Sequence, residues 1–438
     1  MAEHAPVAGV SIEGGVLAFD GHPIAALAER LGRTPFYVHS AAALGRRAAL
    51  ARSVLPAGAQ LHYAVKANPF APVVRWFARH ADGADVASAG EMRLAVACGF
   101  APGHIGFAGP GKRADEVREA VAMGVTVTAE SMLQLQAVAA AARAGGPGGR
   151  TVPAQAAIRV NPAHELRASA VRMGGGPSAF GIDEEQLPEA LALADALGVR
   201  VVGLHFYPGS QNLRGEAVAD AMCANAAAAQ RLMQGRPDWG WLNLGGGLGV
   251  PYAAGEREID LAPVAAALAD IDAALAARAA PQAARPTLRI ELGRYLVADA
   301  GIYVCRVIDR KVSRGRTVVV TDGGLHHNQS ATGNFGQVIK RPYPLLNASR
   351  PQAAPEAVDL VGPLCTPMDA FGRNVPIAQP QVGDLIAVLR SGAYGRSASP
   401  IGFLGHEDCQ ELLVPEHGPA VVTSPVAAPG AAPHLLPR

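Results

Sequence analysis

Short apolar runs rich in branched residues recur along the first two thirds of the chain, separated by longer alanine- and leucine-rich segments. The runs are Tyr63–Val65, Ala84–Ala87, Ile105–Ala108, Val125–Thr128, Ala156–Val160, Val201–Phe206, Leu242–Leu244 and Leu288–Glu291. Such runs, bounded by turn residues, predict buried strands. Between them, Glu91–Cys98, Asp115–Met123, Ser131–Ala142 and Leu187–Leu197 are rich in residues that favour helix. Eight alternations over roughly 240 residues predict a (β/α)8 TIM-like barrel, a fold of about 250 residues. The runs are followed by Lys66, Ser88, Gly109, Glu130, Asn161, Tyr207, Gly245 and Gly293. Polar residues and glycines there suit a barrel, whose active sites lie on the loops after the strands. A doubly wound sheet would want a dinucleotide fingerprint near its first turn, and none is present.

After about residue 299 the pattern changes. Tyr303–Val312, Thr317–Thr321, Ala357–Val361 and Asp384–Leu389 are β-rich with little helix between them. Near the N-terminus, Val16–Phe19 and Pro23–Ile24 predict a strand and turn able to join them. The expected organisation is an α/β chain. A barrel spans 36–298, an all-β domain is built from 1–35 and 299–426, and 427–438, rich in Pro and Ala, is a disordered tail.

Composition narrows the partners. The chain has 438 residues, 17% charged, 50% hydrophobic and a net charge of +1, so there is no electrostatic case for nucleic acid or anionic lipid. The N-terminus lacks the basic start and apolar stretch of a signal peptide. No apolar run approaches the roughly 18 residues of a membrane span. The five cysteines are scattered, odd in number and free of CxxC, which points to a reducing cytoplasm.

Several positions can carry chemistry. Lys66 closes an apolar run and is followed by Ala67-Asn68-Pro69. Burial there would tend to lower its pKa and make the amine a nucleophile toward a carbonyl cofactor such as pyridoxal phosphate. A lysine reaching solvent from a strand end is the plainer alternative. Gly245, Gly246, Gly247 and Gly249 could bring backbone amides onto a phosphate or simply form a tight turn, and Ser210 is a second candidate phosphate donor. Glu291 and Arg294 could serve a pyridinium nitrogen and a phosphate, or pair with each other. Cys365 is a candidate catalytic thiol or a small core residue, and Tyr394 lies between glycines. His326 and His327, adjacent on an expected strand, would point to opposite faces and so make no metal site.

Together the segments YAVKANP, DVASAGE, RVNP, GSQ, GGGLG, ELGRY, DGG, GPLCTPMD and GAYG resemble, in order, the pyridoxal-phosphate decarboxylases of the alanine-racemase-like fold, the diaminopimelate, ornithine and arginine decarboxylases. The resemblance runs from about residue 35 to 408. It implies that Lys66 forms the Schiff base with the cofactor, with Asp85 nearby and Arg159 near the ring. It further implies that Ser210, Gly246, Gly247, Gly293, Arg294 and Tyr394 surround the phosphate, and that Glu291 pairs with the pyridine nitrogen. Family enzymes are homodimers with shared sites, in which the position of Cys365 reaches the partner's cofactor and protonates the α-carbon.

Three positions depart from the family. Tyr207 stands where a stacking histidine is usual, with His205 two residues earlier. Thr366 stands where an acidic residue holds the substrate's distal end, and Leu292 replaces a proline. Asp322, Arg341, Thr366 and Asp369 are the candidate substrate contacts. The ending Ser399-Pro400…Phe403-Leu404-Gly405-His406 is more similar to decarboxylases of exopolysaccharide and secondary-metabolite clusters. The expected reaction is decarboxylation of an amino acid at its α-carbon, with a less basic or derivatised substrate, free or tethered to a carrier, expected in place of diaminopimelate, ornithine or arginine. A racemase of the same fold and an inactive cofactor-binding regulator are the alternatives.

Overall fold

The structure is a computed structural model that describes residues 3–146, 148, 151–163, 176–207, 209–232, 234–236, 239–277, 285–335, 337, 339–416 and 421–423. Eight parallel strands close on themselves in chain order: Gln60–Ala64, Gly83–Val86, Ile105–Phe107, Thr126–Ala129, Gln155–Asn161, Arg200–His205, Trp241–Asn243 and Thr287–Leu292. The last pairs with the first, Glu291 opposite His62 and Leu292 opposite Tyr63. Each predicted run overlaps one of these strands, with ends moved by at most three residues. The first strand stops at Ala64, so Lys66 sits in a short 3-10 turn, Val65–Ala67, beyond it.

Local chemistry explains the starts of two of the predicted helical segments. Ser88 caps helix Ala89–Ala97 by accepting from the Glu91 amide at 3.1 Å, and the Glu91 carboxylate reaches back to the Ala87 amide at 2.8 Å. Ser131 caps helix Met132–Ala144 in the same way. These side chains satisfy the open amides of helix starts rather than lining a cleft.

The β-rich half is a nine-stranded mixed sheet around the long strand Gly301–Ser313. Strand Phe36–Ser40, which the sequence suggested would open the barrel segment, pairs instead with Gly301–Val304 and with Gln410–Val414. Every side chain of that strand is buried, which a half-exposed lead-in to a barrel would not need. Val10–Glu13, Val16–Phe19 and His22–Pro23 form a separate three-stranded sheet, joined to the β-rich half where the Leu17 amide bonds the Ala348 carbonyl. One apolar core runs through both halves. Residues 427–438, expected to be a disordered tail, lie outside the described residues. Among the described residues no helix is long and apolar enough to cross a membrane.

Candidate functional site

The loops at the carboxyl ends of the barrel strands border a narrow cleft. Lys66, Asp85, Tyr207, Ser210, Gly247, Glu291, Gly293, Arg294 and Tyr394 all border it. The first eight come from five different barrel loops or strand ends. Tyr394 arrives from the β-rich half, its amide bonded to the Ala67 carbonyl at 2.8 Å.

The Lys66 amine points into the cleft, its side chain 43% exposed, with Nζ 3.7 Å from Asp85 Oδ2. Burial would lower its pKa, but the charge of Asp85, then Tyr207, Tyr394 and Glu291, raises it above the usual lysine value. The lowered value expected from the sequence is therefore overturned. A linear pattern reveals the apolar strand but not the carboxylates that the barrel folds around its end. Burial and the neighbouring Glu291 push Asp85 in the upward direction.

Glu291 is buried at the end of the last strand. Despite burial, it is held below the usual carboxylate range, chiefly by His205, whose Nε2 lies 3.1 Å from Oε2. The distance is close, yet the ring is not aligned for a hydrogen bond, and among the described residues neither ring nitrogen of His205 has an aligned partner. Asn243 Nδ2 donates to Glu291 Oε1 at 2.5 Å while its Oδ1 accepts from the Gly245 amide. His205 thus stands behind Glu291 and is not among the residues bordering the cleft. Tyr207 occupies the open side, its ring centre 5.7 Å from Lys66 Nζ and 5.7 Å from Arg159 Cζ. Arg159 is buried and pairs with Glu130 at 3.5 Å, and Glu130 also accepts from the amides of Gly109 and Gly181.

At the opposite end Arg294 lies between two tyrosines. Its Cζ is 4.6 Å from the Tyr394 ring centre and 5.8 Å from that of Tyr252, whose hydroxyl is 3.4 Å from Nη1. A Cβ on Gly246 would sit 2.1 Å from the Glu291 carbonyl oxygen, so only glycine lets these strand ends meet.

Pyridoxal phosphate fits this donor set. A primary amine, an ionised carboxylate, an aromatic face and a guanidinium beside a glycine-rich turn match its aldehyde, ring nitrogen, ring face and phosphate. Among the described residues the buried Arg294 Nε has no hydrogen-bond partner, as expected of a group that receives an anion.

The remaining predicted positions do not meet in this cleft. Cys365 is exposed and Thr366 half-buried, in the turn after strand Pro355–Val361. Asp369 is buried, with its oxygens accepting from the Leu325 amide at 2.6 Å and the Leu364 amide at 2.9 Å, so it shapes the Cys365 turn. Asp322 accepts from Thr34 Oγ1 and from the Arg306 amide. Arg341 lies 3.5 Å from Glu256 and borders a neighbouring open hollow with Tyr252, Arg294, Phe335 and Tyr343. His326 and His327 sit in a turn, and their ring centres are 3.8 Å apart, which corrects the opposite-faces argument made for a strand. Among the described residues no group of three or more His, Cys, Asp or Glu could hold a metal. Tyr252 and Asn243 escaped the sequence reading, which placed Glu130 at a strand end without giving it a role. The place of Asn243, directly before Leu244 and the glycine run at a strand end, was the available signal.

The family described as pyridoxal-dependent decarboxylase, pyridoxal binding domain, matches residues 41–298. The L-glutamyl-[BtrI acyl-carrier protein] decarboxylase of Niallia circulans is 34% identical over 404 residues, covering 90% of this chain and 91% of that protein. The diaminopimelate decarboxylase of Zymomonas mobilis is 30% identical over 399 residues, covering 88% of each. Among solved structures, the diaminopimelate decarboxylase of M. jannaschii in co-complex with L-lysine superposes with a TM-score of 0.82 at 25% identity, covering 93% of both chains.

Proposed function

The chain belongs to the pyridoxal-dependent decarboxylases and decarboxylates an amino acid with pyridoxal phosphate, and from that premise we propose that its substrate carries no free cation at its distal end. The bound cofactor supplies an aldehyde for amines and a ring that accepts the electron pair left when the α-carboxylate departs. In our reading Lys66 Nζ is the attachment point, and Glu291 holds a proton at the ring nitrogen. Arg294, Ser210 and the Gly247 backbone grip the phosphate, while Tyr207 covers one ring face. Arg159, held by Glu130, backs Tyr207. Cys365 Sγ returns a proton to the α-carbon from the partner in a homodimer with shared sites, which accounts for its distance from its own chain's cleft. Unpaired, scattered cysteines suit a cytoplasmic enzyme.

One observation carries the substrate reading: among the described residues, the carboxylates at the candidate substrate positions and beside Arg341 are already engaged. Thr366 replaces the family acid, Asp322 and Asp369 are engaged with neighbouring donors, and Glu256 is paired with Arg341. A cation lacking a charge-assisted hydrogen bond loses roughly 1.5–3 kcal/mol, about one to two decades of affinity. Arginines Arg294 and Arg341 border the adjoining hollow, which suits a neutral or acyl-linked side chain. The Niallia relative, whose name specifies a glutamyl group on an acyl-carrier protein, supports a tethered substrate. Side-by-side kinetics with glutamyl thioesters, meso-diaminopimelate, ornithine and arginine test the proposal. Efficient turnover of diaminopimelate would overturn it.

A further inference from the structure

Arg390 is completely buried, although no role above uses it. Its Nε donates to Asp299 Oδ1 at 3.0 Å, Nη1 to the Pro251 carbonyl, and Nη2 to the Pro6 carbonyl at 3.2 Å. Nη2 also lies 3.6 Å from Glu258 Oε1. Arg47 shares both carboxylates, with two bonds to Glu258 at 3.0 and 3.1 Å and one to Asp299. Two cations against two carboxylates leave the group neutral, which is the condition for keeping charges inside. It joins the N-terminal segment, helix Ala41–Ser53, the loop after the seventh barrel strand, the turn Ala298–Ala300 and the β-rich half.

The segments Arg390 joins are the two walls of Arg294. Pro251, whose carbonyl it holds, precedes Tyr252, and four residues after Arg390 comes Tyr394. Backbone φ is +57° at Arg390 and +52° at Tyr394, a left-handed conformation that bulky residues keep only when their surroundings impose it. Between them a Cβ on Gly392 would lie 1.8 Å from the Val297 carbonyl oxygen. The Gly392 carbonyl accepts from Asn68 Nδ2 at 2.8 Å, two residues beyond Lys66. The 390–394 segment is thus threaded through the cleft wall and pinned at its start by one guanidinium.

We propose that Arg390 is a positioning residue for the cofactor's phosphate. It fixes Tyr252 and Tyr394 against Arg294 and so sets the direction of the Arg294 fork. This rests on the reading that Arg294 grips that phosphate. Lysine could substitute only in part, because one ammonium cannot reach Asp299 and the Pro251 and Pro6 carbonyls together.

The test uses the full-length holoenzyme of the wild type, Arg390→Gln, Arg390→Lys and the distant core variant Val375→Ala. The readouts are the Kd of pyridoxal phosphate, the inhibition constant of inorganic phosphate against its binding, and Tm. Arg390→Gln should weaken cofactor and phosphate binding by about 10- to 100-fold, by analogy with the loss when a hydrogen-bond partner of a metal ligand is removed. Arg390→Lys should recover part of the loss. Val375→Ala should lower Tm with no change in either constant. Combining Arg390→Gln with Tyr252→Phe should cost less than the two separate losses multiplied together, because they act through one contact. Unchanged affinity in Arg390→Gln, measured where it is folded, overturns the proposal, as does an equal loss in Val375→Ala. Should Arg390→Gln not fold, Arg390→Lys is judged by the same criteria. Unchanged phosphate binding in Arg294→Ala would instead overturn the underlying reading.

Discussion

Replacing Asp85 by asparagine should lower the pKa of Lys66 in the cofactor-free protein. Nζ and Oδ2 are 3.7 Å apart, and Asp85 is the leading cause that raises Lys66 against burial. Coulomb's law at that separation gives about 4.5 kcal/mol at an effective dielectric of ~20 and about 1 kcal/mol in bulk water. Lys66 is 43% exposed, so solvent screens the pair and the lower half of that range applies. Asp85 is itself pushed toward its neutral form by burial and Glu291, which reduces the charge lost. With each pKa unit equivalent to about 1.4 kcal/mol, the Lys66 pKa should fall by about one to two. The sign is downward because removing an anion destabilises the ammonium. Competitive reductive methylation with formaldehyde across pH, read out on the Lys66 peptide by mass spectrometry, measures the change without the cofactor. At pH 8, far below the titration midpoint, the neutral amine becomes about ten times more abundant each time the pKa drops by one, and labelling should accelerate in proportion. Unchanged or slower labelling of Lys66 in Asp85→Asn would refute the reasoning.

Lys66→Ala should lose both turnover and the visible absorbance of covalently held cofactor; a spectrum like the wild type's would show that the attachment point lies elsewhere. Inactive Lys66→Ala and Cys365→Ala chains, mixed and shown to form hybrid dimers, should regain partial activity, since one hybrid site carries both native residues. No recovery would count against shared sites. Burial, then Arg289, draws His62 down to about 4 from 6.5. The unfolded chain therefore binds that proton more readily, and stability should fall as pH drops from about 6.5 toward 4, by roughly 3 kcal/mol in all. In chemical denaturation at pH 7 and pH 4.5, His62→Gln should show a smaller pH difference than the wild type, and an equal difference would contradict the assignment.

The barrel was legible because its strands, apolar over several residues, and its helices of Ala, Leu, Glu and Arg differ in local pattern. A periodicity of that kind survives in one dimension. The polar ends of those strands were legible for the same reason, since a closed parallel barrel sends every loop after a strand to one face. Lys66, Asp85, Tyr207, Ser210, Gly247, Glu291 and Gly293 thus converge on one cleft from positions spread over more than half the chain. The place of Phe36–Ser40 was not legible. An apolar strand does not name its partner, and this one pairs across more than 260 residues with Gly301–Val304.

The sequence by itself determined the barrel, the β-rich second half and the order of the chemical groups, because short-range pattern and motif spacing encode these directly. Tertiary structure alone decided the upward direction of the Lys66 pKa, the engagement of Asp322 and Asp369, and the contact of Tyr252 with Arg294. It also decided that Arg390, Arg47, Asp299 and Glu258 meet in one buried group. Each depends on which charges and carbonyls lie within a few ångströms. That is a property of chain closure, on which neighbours along the sequence have little bearing.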